Sequence, residues 1–96
     1  MNIEFYTPVG QVREVIINFV RERLYNLHKR NKKISRAEVY FRNRGISKVC
    51  EIDLTIYGDS LLIQRQADNF HQAAREALQE LDSKIEGPTK GAPNEI

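Results

Sequence analysis

The sequence predicts a single two-layer α+β sandwich, in which two helices cover one face of a four-stranded sheet. Two stretches have the three- and four-residue apolar spacing of helices, and four short stretches alternate apolar with polar residues as strands do. These elements follow one another in the order β-α-β-β-β-α. Because each alternating strand has only one apolar face, both helices are expected on that face. The 96 residues suffice for one domain, which we place at residues 1–86.

The first strand and the first helix are predicted from the N-terminal third of the chain. Ile3 and Phe5 alternate with polar neighbours, and the strand ends before Pro8, which has no N–H for a ladder. A helix is expected from about residue 10 to 30. Arg23 falls within its apolar stripe, so its tip must extend past its neighbours or reach a partner beyond the core. The residues of the stripe are Val12, Val15, Ile16, Phe19, Val20, Leu24 and Leu27.

Three alternating runs after this helix predict an antiparallel meander. The runs are RAEVYFR, VCEIDLTIY and LLIQRQA, and they are separated by NRGIS and by a tight turn at Gly58-Asp59. Since the first and second strands are joined through a helix, we expect them to be parallel, with a right-handed crossover. The side chains expected on the apolar face are Ala37, Val39, Phe41, Cys50, Ile52, Leu54, Ile56, Leu61, Ile63 and Ala67.

The second helix is expected to begin after Asp68-Asn69, since both residues are good N-caps. Its apolar spacing continues to Ile85, and Gly87-Pro88 is the predicted stop. Residues 87–96 hold two prolines and two glycines, so a disordered tail is expected there. The residues that we expect to be most buried in the whole domain are Val20, Leu24, Phe41, Ile52, Leu54, Phe70, Leu78 and Leu81.

The composition favours a cytoplasmic protein. No apolar run approaches the roughly 18 residues of a membrane span. The N-terminal MNIEFYTP lacks the basic start and apolar stretch of a signal peptide. The single cysteine, Cys50, cannot form an internal disulfide, which suits a reducing compartment. We therefore expect neither a membrane nor a disulfide framework.

Motifs of enzymes and of metal sites are absent from the sequence. There is no GxxxxGK, GxGxxG, HExxH or CxxC pattern. Cys50, His28 and His71 are expected as one core residue and two surface residues, because they lie on different elements. Glu51 and Asp53 share an open strand face, where we expect ion pairs with Arg36 and Arg42. The sequence therefore predicts no catalytic residues, no metal, no cofactor and no small-molecule substrate.

Positive charge is concentrated in one quarter of the chain. From Arg21 to Arg44 there are nine basic and two acidic residues, a net +7, whereas the rest of the chain has a net −5. The dipole of a helix favours cations at its C-terminal end by about 0.3–1 kcal/mol each. This effect accounts for about two of the basic residues at the end of the first helix. Basic residues interleaved with an aromatic are typical of surfaces that contact phosphates and stack bases. A merely solvated face remains the alternative. The dipole does not explain Arg36, Arg42 and Arg44, or Tyr25 beside Arg21 and His28.

Two stretches carry a resemblance to a known family. VREVIINFVRERLYNLHKR is similar to the first helix of the short ribosome hibernation-promoting factors, also known as ribosome-associated inhibitors or ribosomal subunit interface proteins. EVYFRNRGISKVCEIDLTIYGDSLLIQRQADNFHQAAREALQELDSKI is similar to their hairpin strands and second helix. The resemblance covers residues 1 to about 86 and implies a fold like that of double-stranded-RNA-binding domains. It also implies a stress-response role, in which the protein binds 16S rRNA of the small ribosomal subunit near the decoding region. There it would block the messenger and transfer RNA sites during idle growth, without enzymatic activity.

The resemblance also assigns residues to the RNA. Arg23 and Lys29 match basic positions of the family's first helix, whereas Asn26 replaces a third. In the second helix, Glu80 and Ser83 stand where the family has cations. The acidic outward face of that helix leaves open a divergent member that binds a protein instead. A monomer is expected, and a dimer through an exposed strand remains possible. The predicted RNA-binding residues are Arg21, Arg23, Tyr25, His28, Lys29, Arg30, Lys32, Lys33, Arg36 and Lys84.

Overall fold

A computed structural model of the chain describes the backbone of residues 1–95 and the side chains of residues 1–85. Its elements have the predicted order β-α-β-β-β-α, and two helices pack with a four-stranded sheet. The predicted α+β sandwich is confirmed. The elements are β1 (Asn2–Tyr6), α1 (Glu14–Arg30), β2 (Ile34–Arg44), β3 (Ser47–Ile56), β4 (Asp59–Ala67) and α2 (Phe70–Glu95).

The strands lie in the order β1-β2-β3-β4. β1 pairs with β2 in parallel, with Asn2 opposite Arg36, and the other two pairings are antiparallel. The parallel pair requires α1 to run back along the sheet, so that its C-terminus lies where β2 begins. Ile34 is opposite Ile56, and therefore the β3–β4 turn lies at this same end of the sheet.

The core lies between the helices and one face of the sheet. Apolar residues of both helices and of β2, β3 and β4 form a single cluster, so both helices lie on one face, as predicted. β1 adds Ile3 and Phe5 at its border. All eight residues that we expected to be most buried are buried in the structure. Val49 is also buried, but it is not part of this cluster. Its neighbours on the adjacent strands are Arg42 and Gln66 rather than core residues.

The first helix begins later than its apolar spacing predicts. Gly10 has a φ of +70°, and the N–H of Gln11 donates to the carbonyl oxygen of Pro8 at 3.1 Å, so the chain turns before α1 begins at Glu14. Val15 is 63% exposed, and its predicted place in the buried stripe is wrong. At 100° per residue, Val15 lies about 140° around the helix from the buried Val20.

The two hairpin turns are both two-residue loops. In the first, Gly45 has a φ of +61°. In the second, Tyr57 and Gly58 have φ angles of 54° and 83°, and two positive values are what a type I′ turn requires. The turn is therefore one residue earlier than the predicted Gly58-Asp59, because Asp59 already pairs with Ile56.

The second helix is capped as predicted. The Oδ1 atom of Asn69 accepts a hydrogen bond from the N–H of Gln72 at 2.8 Å. The backbone is helical to Glu95, past the predicted stop at Gly87-Pro88; the φ that a proline ring fixes is itself close to helical. The predicted disordered tail, residues 87–96, lies outside the residues with described side chains. Neither helix, over the part that the structure describes, is long and apolar enough to cross a membrane.

Leu54 tests the position of the core. Its side chain is 0% exposed in the middle of β3. Changing Leu54→Ala should lower the free energy of unfolding by about 2–5 kcal/mol, because a cavity is left in the core. The matched control is Leu62→Ala, since Leu62 is 56% exposed on β4 and should cost less than about 1 kcal/mol. Urea unfolding measures both variants, and equal losses would contradict the described core.

Cys50 makes a pH-dependent contribution. Burial, with a smaller contribution from the charge of Glu51, raises the pKa of the Cys50 thiol from 9.0 to about 12. The folded protein therefore keeps this proton at pH values where the unfolded chain has lost it, and stability should fall as pH rises from 9 to 12. Unfolding free energies measured across this range should decline more steeply for the parent than for Cys50→Ala. Parallel curves would show that Cys50 does not contribute.

Candidate nucleic-acid interface

The topology brings three segments together at one end of the sheet: the end of α1, the α1–β2 loop and the β3–β4 turn. The N–H of Tyr57 donates to the carbonyl oxygen of Lys33 at 3.3 Å, and the Nζ atom of Lys33 lies 5.2 Å from the centre of the Tyr57 ring. The two segments are thus joined by backbone and side chain. A shallow depression is lined by five residues that we name the basic end: Arg30, Asn31, Lys32, Lys33 and Tyr57.

Three lysines lie in the basic end or directly before it. Lys29, Lys32 and Lys33 are exposed. Among residues with described side chains, these three lysines have no carboxylate within ion-pair distance. The N–H of Asn31 caps α1 by donating to the carbonyl oxygens of Leu27 and His28, at 2.9 and 3.1 Å. The C-terminal end of the α1 dipole carries a partial negative charge, which favours the lysines at this end but offsets only about half a unit of their charge. The three lysines therefore leave a positive surface that attracts anions.

A second group of predicted residues lies along the exposed side of α1. Tyr25 is 43% exposed and shares a shallow groove with Arg21 and Lys29. The guanidinium of Arg21 donates to Asn18 at 2.6 Å and lies 5.2 Å from the centre of the Phe5 ring. Glu22 also lines this groove. The predicted association of Tyr25 with basic residues is therefore present in the structure.

Arg23 is directed toward the second helix. Its Nη2 atom lies 3.0 Å from the Oδ2 atom of Asp82, and its guanidinium lies 5.7 Å from the centre of the Phe19 ring. The expected partner beyond the core is thus Asp82. Both side chains are more than a third exposed, at 37% and 36%, so the pair contributes at most about 1 kcal/mol to stability. Contact between Arg23 and RNA remains a prediction.

The acidic face of α2 is partly neutralised in the same way. Arg65, on β4, lies 3.8 Å from Glu76 and 3.6 Å from Glu80. Together with the pairing of Asp82, these contacts engage three acids of α2, of which Glu80 stands where the family has a cation. Lys84 is exposed two residues after Asp82.

Arg36 is separate from the basic end. It lies on the sheet face away from the helices, where it pairs with Glu38 at 2.6 Å and with Glu4 at 3.4 Å. The hydrogen bond to Glu38 raises the pKa of the Arg36 guanidinium. The expected pairing of Arg42 with Glu51 is present at 2.6 Å, but Arg36 does not pair with Asp53 among the described contacts, because Glu4 and Glu38 occupy it.

Two tyrosines lie next to the carboxylates of this sheet face. The rings of Tyr6 and Tyr40 stack with their centres 4.7 Å apart. A hydrogen bond to the Glu4 carboxylate is the main cause that raises the pKa of Tyr6, and burial is the main cause for Tyr40. On this face, carboxylates pair with arginines, whereas none of the residues that line the basic end is acidic.

The two histidines and Cys50 lie on three different elements: His28 on α1, Cys50 on β3 and His71 on α2. No group of three or more histidine, cysteine or acidic side chains comes together among residues 1–85. His28 is half-buried, and its Nδ1 atom is enclosed with no hydrogen-bond partner in the described structure. His71 lies with its ring edge-on to Phe19, at 5.4 Å.

Tyr57 was missed by the sequence analysis. It is 74% exposed in the basic end, although alternation assigned it to a strand. The dipeptide Tyr-Gly was the available signal, since a glycine that directly follows an alternating run can occupy the second position of a type I′ turn.

No protein-family model and no curated protein matches the sequence. Solved structures do match its fold. A ribosomal subunit interface protein from Coxiella burnetii aligns with a TM-score of 0.77 and 13% identity, over 88% of this chain and 92% of that one. The N-terminal domain of Protein Y from Thermus thermophilus aligns with a TM-score of 0.74 and 20% identity, over 88% and 96%. The fold implied by the family resemblance is therefore confirmed.

Proposed function

We propose that the protein is a cytoplasmic, ribosome-associated translation regulator without enzymatic activity. Its basic end and the exposed side of α1 bind 16S rRNA of the small subunit near the decoding region, where the bound protein blocks messenger and transfer RNA sites during idle growth. The observation that supports this most is a set of exposed lysines at one end, Lys29, Lys32 and Lys33, which have no ion pair among the described side chains. The fold, shared with a ribosomal subunit interface protein, supports the choice of the ribosome.

The proposed contact is mainly electrostatic. Each phosphate that a cation neutralises releases counterions, and it steepens the dependence of log affinity on log salt by about 0.7–0.9. Contacts to phosphates fix the register of a protein on RNA but carry little sequence information. The protein would therefore recognise the shape of a folded rRNA region more than its bases.

The alternative is a divergent protein that binds another protein through the outward face of α2. The acidic composition of that face favours it. However, Arg65 and Arg23 already engage Glu76, Glu80 and Asp82, so these acids have less charge to offer a basic partner. We therefore favour rRNA, and salt dependence separates the two proposals.

The lysines can be tested together. Changing Lys29, Lys32 and Lys33 to Ala should weaken binding to 30S subunits steeply and should flatten its salt dependence, because about three phosphate contacts are lost. Arg30 is left unchanged because it has a partner within the chain. Co-sedimentation with 30S subunits across a salt series measures the effect.

The matched control for this test removes equal charge elsewhere. Arg13, Arg44 and Arg75 are exposed outside the proposed interface, and their combined change to Ala should weaken binding far less. If both triple variants lose the same affinity, the effect is one of net charge and the proposed interface is wrong. If the lysine variant binds like the parent, the protein-partner alternative is supported.

Asp82→Asn tests whether Arg23 can reach the RNA. The change removes the partner charge of Arg23 and should alter stability by less than about 1 kcal/mol. Released from Asp82, Arg23 should strengthen 30S binding and steepen its salt dependence. Asp68→Asn is the control, since it removes one exposed acid before α2. Equal affinities for the two variants in the same sedimentation assay would place Arg23 outside the interface.

A further inference from the structure

The conformation of Tyr57 is unfavourable for its residue type. Its φ of 54° lies in the left-handed region, where a side chain is crowded against the backbone. Type I′ turns favour Asn, Asp or Gly at this position for that reason. Tyrosine therefore costs free energy here that asparagine would not.

Burial does not offset this cost. The Tyr57 side chain is 74% exposed, and the contact described for its ring is the Lys33 ammonium at 5.2 Å. Strained residues that the fold itself does not need occur preferentially at binding sites. The exposed ring at the tip of a turn is therefore better explained by a ligand than by packing.

The surroundings of the ring indicate the chemistry of that ligand. The depression beside it is lined by Arg30, Asn31, Lys32 and Lys33, and none of these lining residues is acidic. A flat aromatic surface next to several cations matches a nucleotide, whose base stacks while its phosphates are neutralised. An unpaired base can leave its strand to stack on such a ring, whereas a base within a duplex cannot.

We infer that Tyr57 is a stacking platform for an unpaired RNA base, with Lys32 and Lys33 contacting the flanking phosphates. This inference rests on the proposed function to the extent that the basic end faces RNA. To that function it adds one residue, Tyr57, and one ligand class, because the ring would select single-stranded RNA over duplex RNA. The Lys33 ammonium covers part of the ring, and the high exposure of the side chain leaves surface for the base.

The test compares Tyr57→Asn and Tyr57→Phe with the parent. The probes are a labelled oligouridine of about 12 nucleotides and a duplex RNA of equal length, and the measurement is fluorescence anisotropy across a salt series. Tyr57→Asn should lower affinity for oligouridine roughly tenfold and leave the duplex unaffected. Its salt dependence should stay that of the parent, because no cation is removed. Tyr57→Phe, which keeps the ring, should rescue binding.

Folding is controlled within the same experiment. Asparagine suits the left-handed conformation, so Tyr57→Asn should melt at the same temperature as the parent or higher. Unchanged oligouridine affinity in this variant, or an equal loss for both probes, would overturn the stacking assignment. So would a parent that does not bind oligouridine.

The outcome is separable from that of the proposed function. Binding to 30S subunits by the parent and the triple lysine variant decides the ribosomal role, whereas the oligouridine series decides the role of Tyr57. A failure to bind 30S subunits with a preserved Tyr57 effect would remove the ribosome as partner and keep the stacking site. Normal 30S binding with no Tyr57 effect would keep the ribosome as partner and remove the stacking site.

Discussion

The parallel pairing of β1 with β2 decides where the charges of this protein lie. Parallel neighbours cannot be joined by a tight turn, so the chain must return along the sheet, and α1 makes that return. The C-terminus of α1 is thereby fixed at the end where β2 begins and β3 ends. Basic residues that are consecutive in sequence then meet Tyr57, which is more than twenty residues away along the chain. A different pairing would separate the two.

The internal ion pairs concentrate this field at one end. The formal charge of the chain is only +2, which alone would predict weak attraction to RNA. Arg36 and Arg42 are paired with carboxylates on the open sheet face, and Arg65 and Arg23 engage the acids of α2. These pairs offset part of the charge elsewhere on the described surface. Lys32 and Lys33 in the basic end, and Lys29 beside it, have no such pair among the described side chains, so the net charge of +2 understates the positive charge at this end.

Much of the fold could be predicted from the sequence, because it depends on local alternation and spacing. The strands, the parallel pair, the core and the Asn69 cap follow from such patterns. The start of α1 and the exposure of Val15 could not be predicted in this way, because a turn at Gly10 interrupts the apolar spacing. The pairing of Arg23 with Asp82 joins residues 59 apart, and periodicity carries no information about it. Tyr57 was missed because a one-residue difference in the turn moves a side chain from strand to loop.

The basic end combines one rigid aromatic side chain with several flexible cations, and this combination would lower the entropic cost of the proposed binding. A domain of this size has a small interface, so the entropy lost on ordering side chains takes a large share of the binding energy. Lysines lose much freedom when they are held on phosphates, whereas a tyrosine ring with two rotatable bonds loses little. The backbone below them is already fixed, since Leu27 and Ile34 are buried on either side of the loop and Tyr57 is bonded to Lys33. In the proposed interface, a rigid aromatic among flexible cations would therefore contribute contact area at low entropic cost, and the lysines would contribute mainly electrostatic attraction.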